Sequence, residues 1–479
     1  MKLENLKPER VFKYFEEISM IPRGSGNMEK IADYCQGFAE KNNLKFIRDD
    51  ANNVIVYKSP TKGYENSKPV ILQGHLDMVC QKEEGLDFDF EKDGLNLYVD
   101  GDYLRAKGTT LGADNGIAVA MIMAILEDKN MPHPPIEALF TTDEEIGMIG
   151  AEKLSAKFLT GKRMVNLDSE EMNVITVSCA GGSDFEMTLP VKREKVKAEK
   201  INIFISGLKG GHSGVEINAG RVNANILAGR ILGFANEISD ARIIEVSGGD
   251  KGNAIPCTSK ISLVSDQPEK LFTELNRYME TVKDEIADRE PDFYWEITDC
   301  GMGEYEVFAK ETSQKLIFVL NCCLNGVIQM SASIENLVET SLNLGILKTE
   351  KDKILMLFAL RSNKKSSLEY LEQRLKIFAK QLKFEFKTSG HYPPWEFKKD
   401  SELQEICEQT YIDMFGTKPV IAAIHAGLEC ATLSAKIRGL DCISIGPDLK
   451  DVHTVNEKLS ISSTHAIYNF VKELLKNLK

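Results

Sequence analysis

Short apolar runs and stretches of helical length alternate along residues 1 to about 184. Runs with the length and composition of strands occur at residues 69–73, 136–142 and 164–167, and residues 117–126 form an apolar stretch long enough for a helix. Strands that alternate with helices are typical of α/β proteins with a mostly parallel sheet. We therefore predict an α/β domain in this part of the chain.

The pattern changes after Gly181-Gly182-Ser183, where strands with alternating apolar and polar residues become common. Such alternation indicates strands with one buried face. The predicted strands and helices fall into two similar successions, the first at 185–189, 201–205, 221–234, 243–246 and 268–286, the second at 341–347, 354–360 and 367–382. We predict an inserted lid domain, residues 185–395, made of two related α+β lobes.

The chain is expected to return to its first domain after this insertion. Residues 391–395 (HYPPW) have the character of a linker, and an apolar run at 442–445 predicts another strand. The first domain is thus predicted to consist of residues 1–184 and 396–479. A length of 479 residues with 43% hydrophobic residues supports two or more domains with sizeable cores.

Charge and cysteine content exclude several classes of protein. A net charge of −13 and a pI near 5.3 argue against a nucleic-acid partner, because phosphates require a basic surface. The 10 cysteines are scattered and contain no C-x-x-C spacing, which argues against a disulfide framework or a thiolate zinc site. The first 19 residues predict a charged amphipathic helix, and no run approaches the ~20 apolar residues of a membrane span. We expect a cytoplasmic protein without a membrane partner.

Polar residues follow the predicted strands at the positions where each strand ends. His75 and Asp77 lie two residues apart after the run at 69–73, so a strand would carry both side chains to one face. A histidine can bind a metal through one ring nitrogen while a carboxylate accepts a hydrogen bond from the other. By itself, a histidine beside a strand is more often a structural residue than a metal ligand.

Three further acidic positions have the same context. Asp114 lies in a glycine-containing loop at the start of the predicted helix, where it could cap the helix or bridge two ions. Glu144 and Glu145 follow the strand at 136–142, and consecutive side chains of an extended segment point in opposite directions. One could bind a metal while the other acts as a general base. Asp168 follows the run at 164–167, and ligands of open α/β sheets bind at the carboxyl ends of the strands.

His453, after the run at 442–445, supplies a second imidazole. Two imidazoles and three carboxylates are ligands that zinc and similar divalent ions accept. Two such ions carry four positive charges against the three negative charges of Asp114, Glu145 and Asp168. The remaining positive charge suits a site that holds the nucleophile of a hydrolysis.

Ordered motifs along nearly the whole chain resemble a known family. They are GHLDMVCQK, KGTTLGADNGIAVA, TTDEEIGM, NLDSEE, GLKGGHSGVEINAGRVNAN, GNAIPC, ALRSN, HAGLECA, SIGPD and DVHTVNE. The chain resembles the co-catalytic zinc metallopeptidases of the aminoacylase, carnosinase and glutamate carboxypeptidase group. Within that group it is most similar to the aminoacyl-histidine dipeptidases, also called Xaa-His or cytosol nonspecific dipeptidases.

The resemblance implies a role for each candidate. One ion would be held by His75, Asp114 and Asp168, and the other by Asp114, Glu145 and His453. Asp77 would orient His75, and Glu144 would be the general base. The family also implies a cis peptide bond between Asp114 and Asn115. Zinc is the expected metal, with manganese or cobalt as alternatives.

The resemblance also implies substrate contacts outside the metal cluster. His212, in the segment GGHSG, would reach the scissile carbonyl, although a histidine in a glycine-rich turn also has a structural explanation. Asn253 would help to hold the substrate. Arg361 would receive its terminal carboxylate, a task that suits the planar guanidinium. His425 or Glu429 would meet the amino terminus or a side chain of the substrate.

These observations predict a metal-dependent dipeptidase that cleaves short peptides with a free amine, including Xaa-His dipeptides. A deacylase or carboxypeptidase with the same metal core is the main alternative. A non-catalytic binding protein of the same fold is less favoured, because Glu144 and every expected ligand are present. The oligomeric state stays open between a single chain with a doubled lid and a lid-mediated homodimer.

Overall fold

The computed structural model describes residues 3–479. The chain divides into two compact units. The first unit comprises the residues up to Cys179, Trp395–Ala423 and Leu428–Lys479, and the second comprises Ala180–Pro394 and Ile424–Gly427. The second unit thus begins five residues before the predicted lid and also includes a short segment, Ile424–Gly427, that the sequence pattern assigned to the first domain.

Helices occur in both units of the described chain. Their bounds are α1 Glu9–Ser19, α2 Glu29–Lys41, α3 Ala113–Glu127, α4 Ile149–Lys153, α5 Ala224–Ile238, α6 Pro268–Ile286, α7 Lys310–Cys322, α8 Lys365–Leu382, α9 Glu402–Phe415, α10 Glu429–Lys436 and α11 Ile461–Asn477. None of the described helices combines the length and apolar character needed to cross a membrane.

Strands make up most of the remaining regular structure. Their bounds are β1 Lys45–Arg48, β2 Val54–Lys58, β3 Val70–His75, β4 Leu97–Asp100, β5 Tyr103–Ala106, β6 Ile136–Thr141, β7 Arg163–Asn166, β8 Val174–Cys179, β9 Gly181–Pro190, β10 Arg193–Ser206, β11 Gly211–His212, β12 Arg242–Gly248, β13 Ala254–Ile255, β14 Ser259–Ser265, β15 Tyr294–Phe308, β16 Gly326–Met330, β17 Val338–Thr349, β18 Lys353–Ser362, β19 Glu385–Tyr392, β20 Val420–Ile424, β21 Asp441–Ser444, β22 Leu449–Lys450 and β23 Lys458–Ser460.

An eight-stranded mixed sheet forms the centre of the first unit, in the order β1-β2-β6-β3-β7-β21-β8-β20. The four neighbouring strands β6, β3, β7 and β21 run parallel, so their carboxyl ends lie along one edge. Every residue of β3, β6 and β7 is buried, as expected for parallel strands covered on both faces. The predicted α/β fold with a mostly parallel core is confirmed.

Helix α3 is apolar around its whole circumference, and nearly all of its residues are buried. It packs against β3 and against α1. The amphipathic character of α1 explains this contact, because Val11, Phe12, Phe15 and Ile18 form its buried face. The first turn of α3 is thereby held beside the carboxyl end of β3.

The second unit contains a nine-stranded sheet in the order β15-β10-β14-β12-β17-β18-β9-β19, with β16 beside β17. All of its strand pairs are antiparallel. Four strands lie on one side of the β12–β17 junction and five, including β16, on the other, and only Ser247–Lys348 and Gly248–Leu347 are paired across it. One hydrophobic core runs under the entire sheet. The two predicted lobes therefore share a sheet and a core within one inserted antiparallel domain.

Candidate metal centre

The sheet edge of the first unit brings the predicted ligands together. Strand β3 ends at His75, and β7 ends two residues before Asp168. Asp114 is the second residue of α3, and His453 lies in the loop between β22 and β23. The side chains form two groups whose potential ligand atoms lie within 4.8 Å of one another: His75, Asp114 and Asp168, and Asp114, Glu145 and His453.

Asp114 belongs to both groups because its two oxygens face different histidines. Asp114 Oδ1 lies 3.2 Å from His75 Nε2, and Asp114 Oδ2 lies 3.0 Å from His453 Nε2. His75 Nε2 is also 3.5 Å from Asp168 Oδ1, and His453 Nε2 is 3.1 Å from Glu145 Oε1. This arrangement is the one expected of a carboxylate shared by two adjacent cation sites.

The charges of the cluster fit divalent cations. Among the described residues, the ion-pair partners of Asp114, Glu145 and Asp168 are the two histidines, and none is a lysine or arginine. Burial raises the pKa of Asp168 to about 6, because its charged form loses solvation. Buried carboxylates without cationic side chains need another source of positive charge, and the oxygen and nitrogen donors suit zinc, manganese or cobalt.

Asp77 has more partners than the sequence pattern indicates. Its Oδ1 lies 3.4 Å from His75 Nδ1, as expected for a residue that orients the imidazole. The same carboxylate accepts hydrogen bonds from the backbone N–H groups of Glu144 and Glu145, at 3.0 and 3.1 Å, and from the Ser25 hydroxyl at 2.8 Å. Burial opposes its ionisation, but these bonds, led by the one with His75, lower the pKa of Asp77 to about 2. Asp77 thus holds the turn that carries both glutamates, with Ser25 as an unpredicted partner.

Both glutamates of this turn lie close to His75. Glu144 and Glu145 form a third group with His75 whose ligand atoms lie within 4.8 Å. Burial raises the pKa of Glu144 well above its usual value, and although His75 opposes this effect, the charges of Asp168 and Glu429 reinforce it. The geometry places both carboxylates at the cluster, and the division into ligand and base continues to rest on the family resemblance.

The backbone around the cluster departs from ordinary conformations. The Asp114–Asn115 peptide bond is cis, as the resemblance implied. The Asn115 side chain accepts a hydrogen bond from the His75 N–H at 3.2 Å and donates one to the Leu167 carbonyl at 2.9 Å. Asn115 therefore ties the end of β3 to the segment that leads to Asp168.

Glu429, predicted as a substrate contact, is held by two buried side chains of the first unit. Its side chain is completely buried in the first unit and accepts hydrogen bonds from Gln73 Nε2 and Thr141 Oγ1, both at 2.6 Å. Gln73 in turn accepts a hydrogen bond from the Asn166 amide. Gln73 and Asn166 each precede a candidate ligand by two residues, so this network lies beneath the cluster. Its placement indicates support of the strand ends, and contact of Glu429 with a substrate stays a prediction.

The other candidate substrate residues belong to the second unit. Strands β11 and β13 pair His212 with Ala254, and the Asn253 carbonyl accepts a hydrogen bond from the Ser213 N–H at 2.9 Å. The motifs GGHSG and GNAIPC, separated in sequence, are therefore adjacent.

The ring of His212 is fixed by its own backbone. His212 Nδ1 accepts hydrogen bonds from the N–H groups of Gly214 and Val215, both at 3.2 Å. Burial and the positive charge of Arg361 lower the pKa of His212. The neutral ring consequently carries its proton on Nε2, where it can donate a hydrogen bond.

Arg361 and His425 are buried in the second unit, at 9% and 5% exposure. Arg361 Nη1 donates to the Tyr392 hydroxyl at 2.9 Å, whereas Arg361 Nε has no hydrogen-bond partner among the described residues. The His425 ring contacts the Ser341 hydroxyl at 2.7 Å and Asn363 Oδ1 at 3.1 Å. Both ring nitrogens of His425 are thus engaged within the protein.

Comparison with known proteins identifies the family of this chain. The family model described as "Peptidase family M20/M25/M40" matches residues 71–477. The chain belongs to this peptidase family. It is 37% identical to the cytosol non-specific dipeptidase of Escherichia coli over 481 aligned positions, which cover 100% of this chain and 99% of that protein. The resemblance seen in the sequence motifs is confirmed, and the chain is a metallopeptidase of the M20 group.

Solved structures agree with this assignment. The crystal structure of aminoacylhistidine dipeptidase from Vibrio alginolyticus matches with a TM-score of 0.93 and 38% identity, covering 99% of this chain and 98% of that one. An aminopeptidase from Bacillus cereus matches with a TM-score of 0.57 and 16% identity, covering 99% of both chains. The second likeness shows the shared fold alone.

Proposed function

We propose that this protein is a metal-dependent dipeptidase that hydrolyses short peptides with a free amine, including Xaa-His dipeptides. The observation that carries the proposal is the pair of histidine–carboxylate groups that share Asp114, beside the two glutamates of one turn. The names of the relatives from Escherichia coli and Vibrio alginolyticus supply the substrate class. The name of the former also supports a cytosolic location for this chain.

The proposed ligands are His75, Asp114 and Asp168 for one ion, and Asp114, Glu145 and His453 for the other. Zinc is the first choice, with manganese and cobalt as alternatives that the same donors accept. When bound, such ions supply Lewis acidity, which polarises a peptide carbonyl and makes water more acidic.

Glu144 is proposed to move the proton during hydrolysis. Its carboxylate would accept a proton from the attacking water as the water oxygen adds to the peptide carbon. It would then donate that proton to the leaving amine when the C–N bond breaks. A raised pKa favours this role, because the group must hold the proton between the two steps. Asp77 would keep the turn in place through its bonds to both backbone N–H groups.

Residues of the second unit are proposed to recognise the substrate. His212, with its proton on Nε2, is a hydrogen-bond donor suited to a carbonyl oxygen that becomes negatively charged. Arg361 has an Nε–H group without a hydrogen-bond partner among residues 3–479 and is suited to the carboxylate of a dipeptide. Asn253 is proposed to hold the substrate next to His212. His425 is proposed to shape this region, since its ring is already hydrogen-bonded.

A deacylase or carboxypeptidase with the same metal core remains the second candidate function. It would accept N-acylated amino acids or longer chains. We would therefore compare a Xaa-His dipeptide, its N-acetylated form and a longer peptide as substrates. Rapid cleavage of the free dipeptide alone supports the dipeptidase, whereas preference for either other substrate supports the alternative.

The proposed mechanism is tested with the purified protein before and after chelation, and after addition of zinc or manganese. Glu144→Gln, measured at matched metal content, is expected to lose several orders of magnitude in kcat, because the amide cannot accept the proton. Glu152→Gln, an exposed glutamate on the nearby helix α4, is the matched control. Full activity of Glu144→Gln, or activity that survives complete metal removal, would contradict the mechanism.

A further inference from the structure

A buried carboxylate from the C-terminal segment contacts the loop before Asp114. Glu457 is 3% exposed and accepts hydrogen bonds from four consecutive backbone N–H groups. Its Oε2 contacts the N–H groups of Leu111 and Gly112 at 2.7 and 2.9 Å. Its Oε1 contacts those of Ala113 and Asp114 at 2.8 and 3.3 Å. Both oxygens are therefore directed at the backbone that carries the shared aspartate.

The start of α3 needs such a partner because its backbone is not regular helix, with non-helical φ and ψ angles at Asp114 and Asn115. The first N–H groups of a helix lack acceptors within the helix, and the residue before α3 is Gly112, which has no side chain to accept them. Gly112 adopts a left-handed conformation, with φ of 63°. Glu457 supplies acceptors for these N–H groups from a position 343 residues beyond Asp114.

Arg23 holds the same loop from another direction. Its guanidinium is buried and donates to the carbonyl of Gly112 and, from Nη1, to the carbonyls of Leu76 and Asp77 at 3.0 and 3.1 Å. Gly112 thus donates its N–H to Glu457 and accepts at its carbonyl from Arg23. A Cβ atom at position 112 would lie 2.6 Å from Arg23 Nη2, so this contact requires glycine.

Glu457 also belongs to the loop that supplies His453. The Glu457 N–H donates to the Thr454 carbonyl at 3.2 Å, which folds the segment between the two residues. One short segment therefore carries a histidine that faces Asp114 Oδ2 and a carboxylate that holds the Asp114 backbone.

We propose that Glu457 is a positioning residue, which, with Arg23 as its buried counter-charge, fixes the Asp114 backbone so that both Asp114 oxygens bind metal. This inference rests on the proposed metal ligands. Without Glu457 the loop would lose its orientation relative to His453, and the ion shared by Asp114, Glu145 and His453 would bind more weakly. Loss of a partner that orients a ligand typically weakens metal binding 10- to 100-fold.

The test uses Glu457→Gln and titration of the metal-free, full-length protein with Co²⁺. The d–d absorption of bound cobalt reports the coordination of each ion separately from activity. An amide offers only one acceptor oxygen, and its NH₂ group would face N–H donors. We expect the ion held by Asp114, Glu145 and His453 to bind 10- to 100-fold more weakly and to show an altered absorption spectrum.

Glu137→Gln is the matched control for loss of a buried carboxylate. Glu137 is 5% exposed, lies in the same unit and accepts backbone N–H groups from Thr160 and Gly161. Glu137→Gln should lower thermal stability without changing the affinity for either cobalt ion. If Glu457→Gln does not fold, Glu457→Asp replaces it, because aspartate retains the charge but is too short to reach all four N–H groups.

Wild-type affinity and spectrum in a folded Glu457 variant would overturn the positioning role and leave the dipeptidase proposal intact. The same holds if Glu137→Gln weakens cobalt binding as much as the Glu457 variant does, since the effect would then be general destabilisation. Failure of the wild-type protein to bind two ions would instead contradict the proposed ligand set. The two failures are therefore distinguishable.

Discussion

The burial of His425 leads us to expect that the free energy of unfolding depends on pH in a specific way. Burial, together with the positive charge of Arg361, lowers the pKa of His425 to about 3. Its neutral ring can donate from Nδ1 to Asn363 Oδ1 and accept at Nε2 from the Ser341 hydroxyl. The folded protein therefore prefers neutral His425, whereas the unfolded chain protonates it near the ordinary value of about 6.5.

The sign and size of the effect follow from this difference. Because the folded-state pKa lies below the unfolded-state value, the unfolded chain binds more protons between these two pH values. The contribution of His425 to stability is complete above about pH 6.5 and is lost as the pH falls towards 3. At pH 5 the loss amounts to about 2 kcal/mol, at 1.36 kcal/mol for each pH unit below about 6.5.

The assay is urea unfolding at pH 8 and pH 5, compared between the wild-type protein and His425→Gln. The chain has two tryptophans, Trp295 in the second unit and Trp395 in the first. A Trp395→Phe background therefore makes fluorescence report the unit that contains His425. Other titrating groups are common to both proteins and cancel in the comparison.

We expect the wild-type protein to lose about 2 kcal/mol more than His425→Gln between pH 8 and pH 5. Equal losses in the two proteins would refute the reasoning, because they would show that His425 titrates similarly in the folded and unfolded chains. A smaller loss in the wild-type protein would show that the folded structure stabilises the charged ring.

Two further predictions concern the proposed site. Asp77→Asn should weaken metal binding 10- to 100-fold, because the amide has one acceptor oxygen and cannot accept from both backbone N–H groups of the turn that carries Glu144 and Glu145. Metal titration checks this. Asp143→Asn is the neighbouring control, because its amide oxygen can still accept from the Gly26 N–H. Arg361→Lys should raise KM for dipeptides about 10-fold, equivalent to ~1.4 kcal/mol, with a smaller effect on kcat. With dipeptides whose terminal carboxylate is replaced by an amide, the KM values of the wild-type protein and Arg361→Lys should differ little. An equal rise in KM with the amides would contradict recognition of the carboxylate by Arg361.

The sequence by itself was sufficient to predict the parallel strands at the centre of the first unit and most residues gathered at their ends. The runs before His75, Glu144 and Asp168 are mostly apolar, and every residue of the corresponding strands is buried, as is typical of parallel strands covered on both faces. Since parallel strands present their carboxyl ends along one edge, polar residues that follow them must lie near one another. The Xaa-His dipeptidase resemblance added the role of His453 and the cis bond after Asp114.

Tertiary structure alone decided which buried groups support that cluster. Glu457, Arg23 and Ser25 contact backbone or side chains far away in the sequence, and such contacts produce no local hydrophobic period or motif spacing. Glu429 is a further example, because its sequence motif does not reveal that Gln73 and Thr141 bind it or that it is completely buried. Burial and hydrogen-bond partners depend on the assembled elements, so a pattern of residue types predicts the chemistry available at the sheet edge but not the contacts that hold it in place.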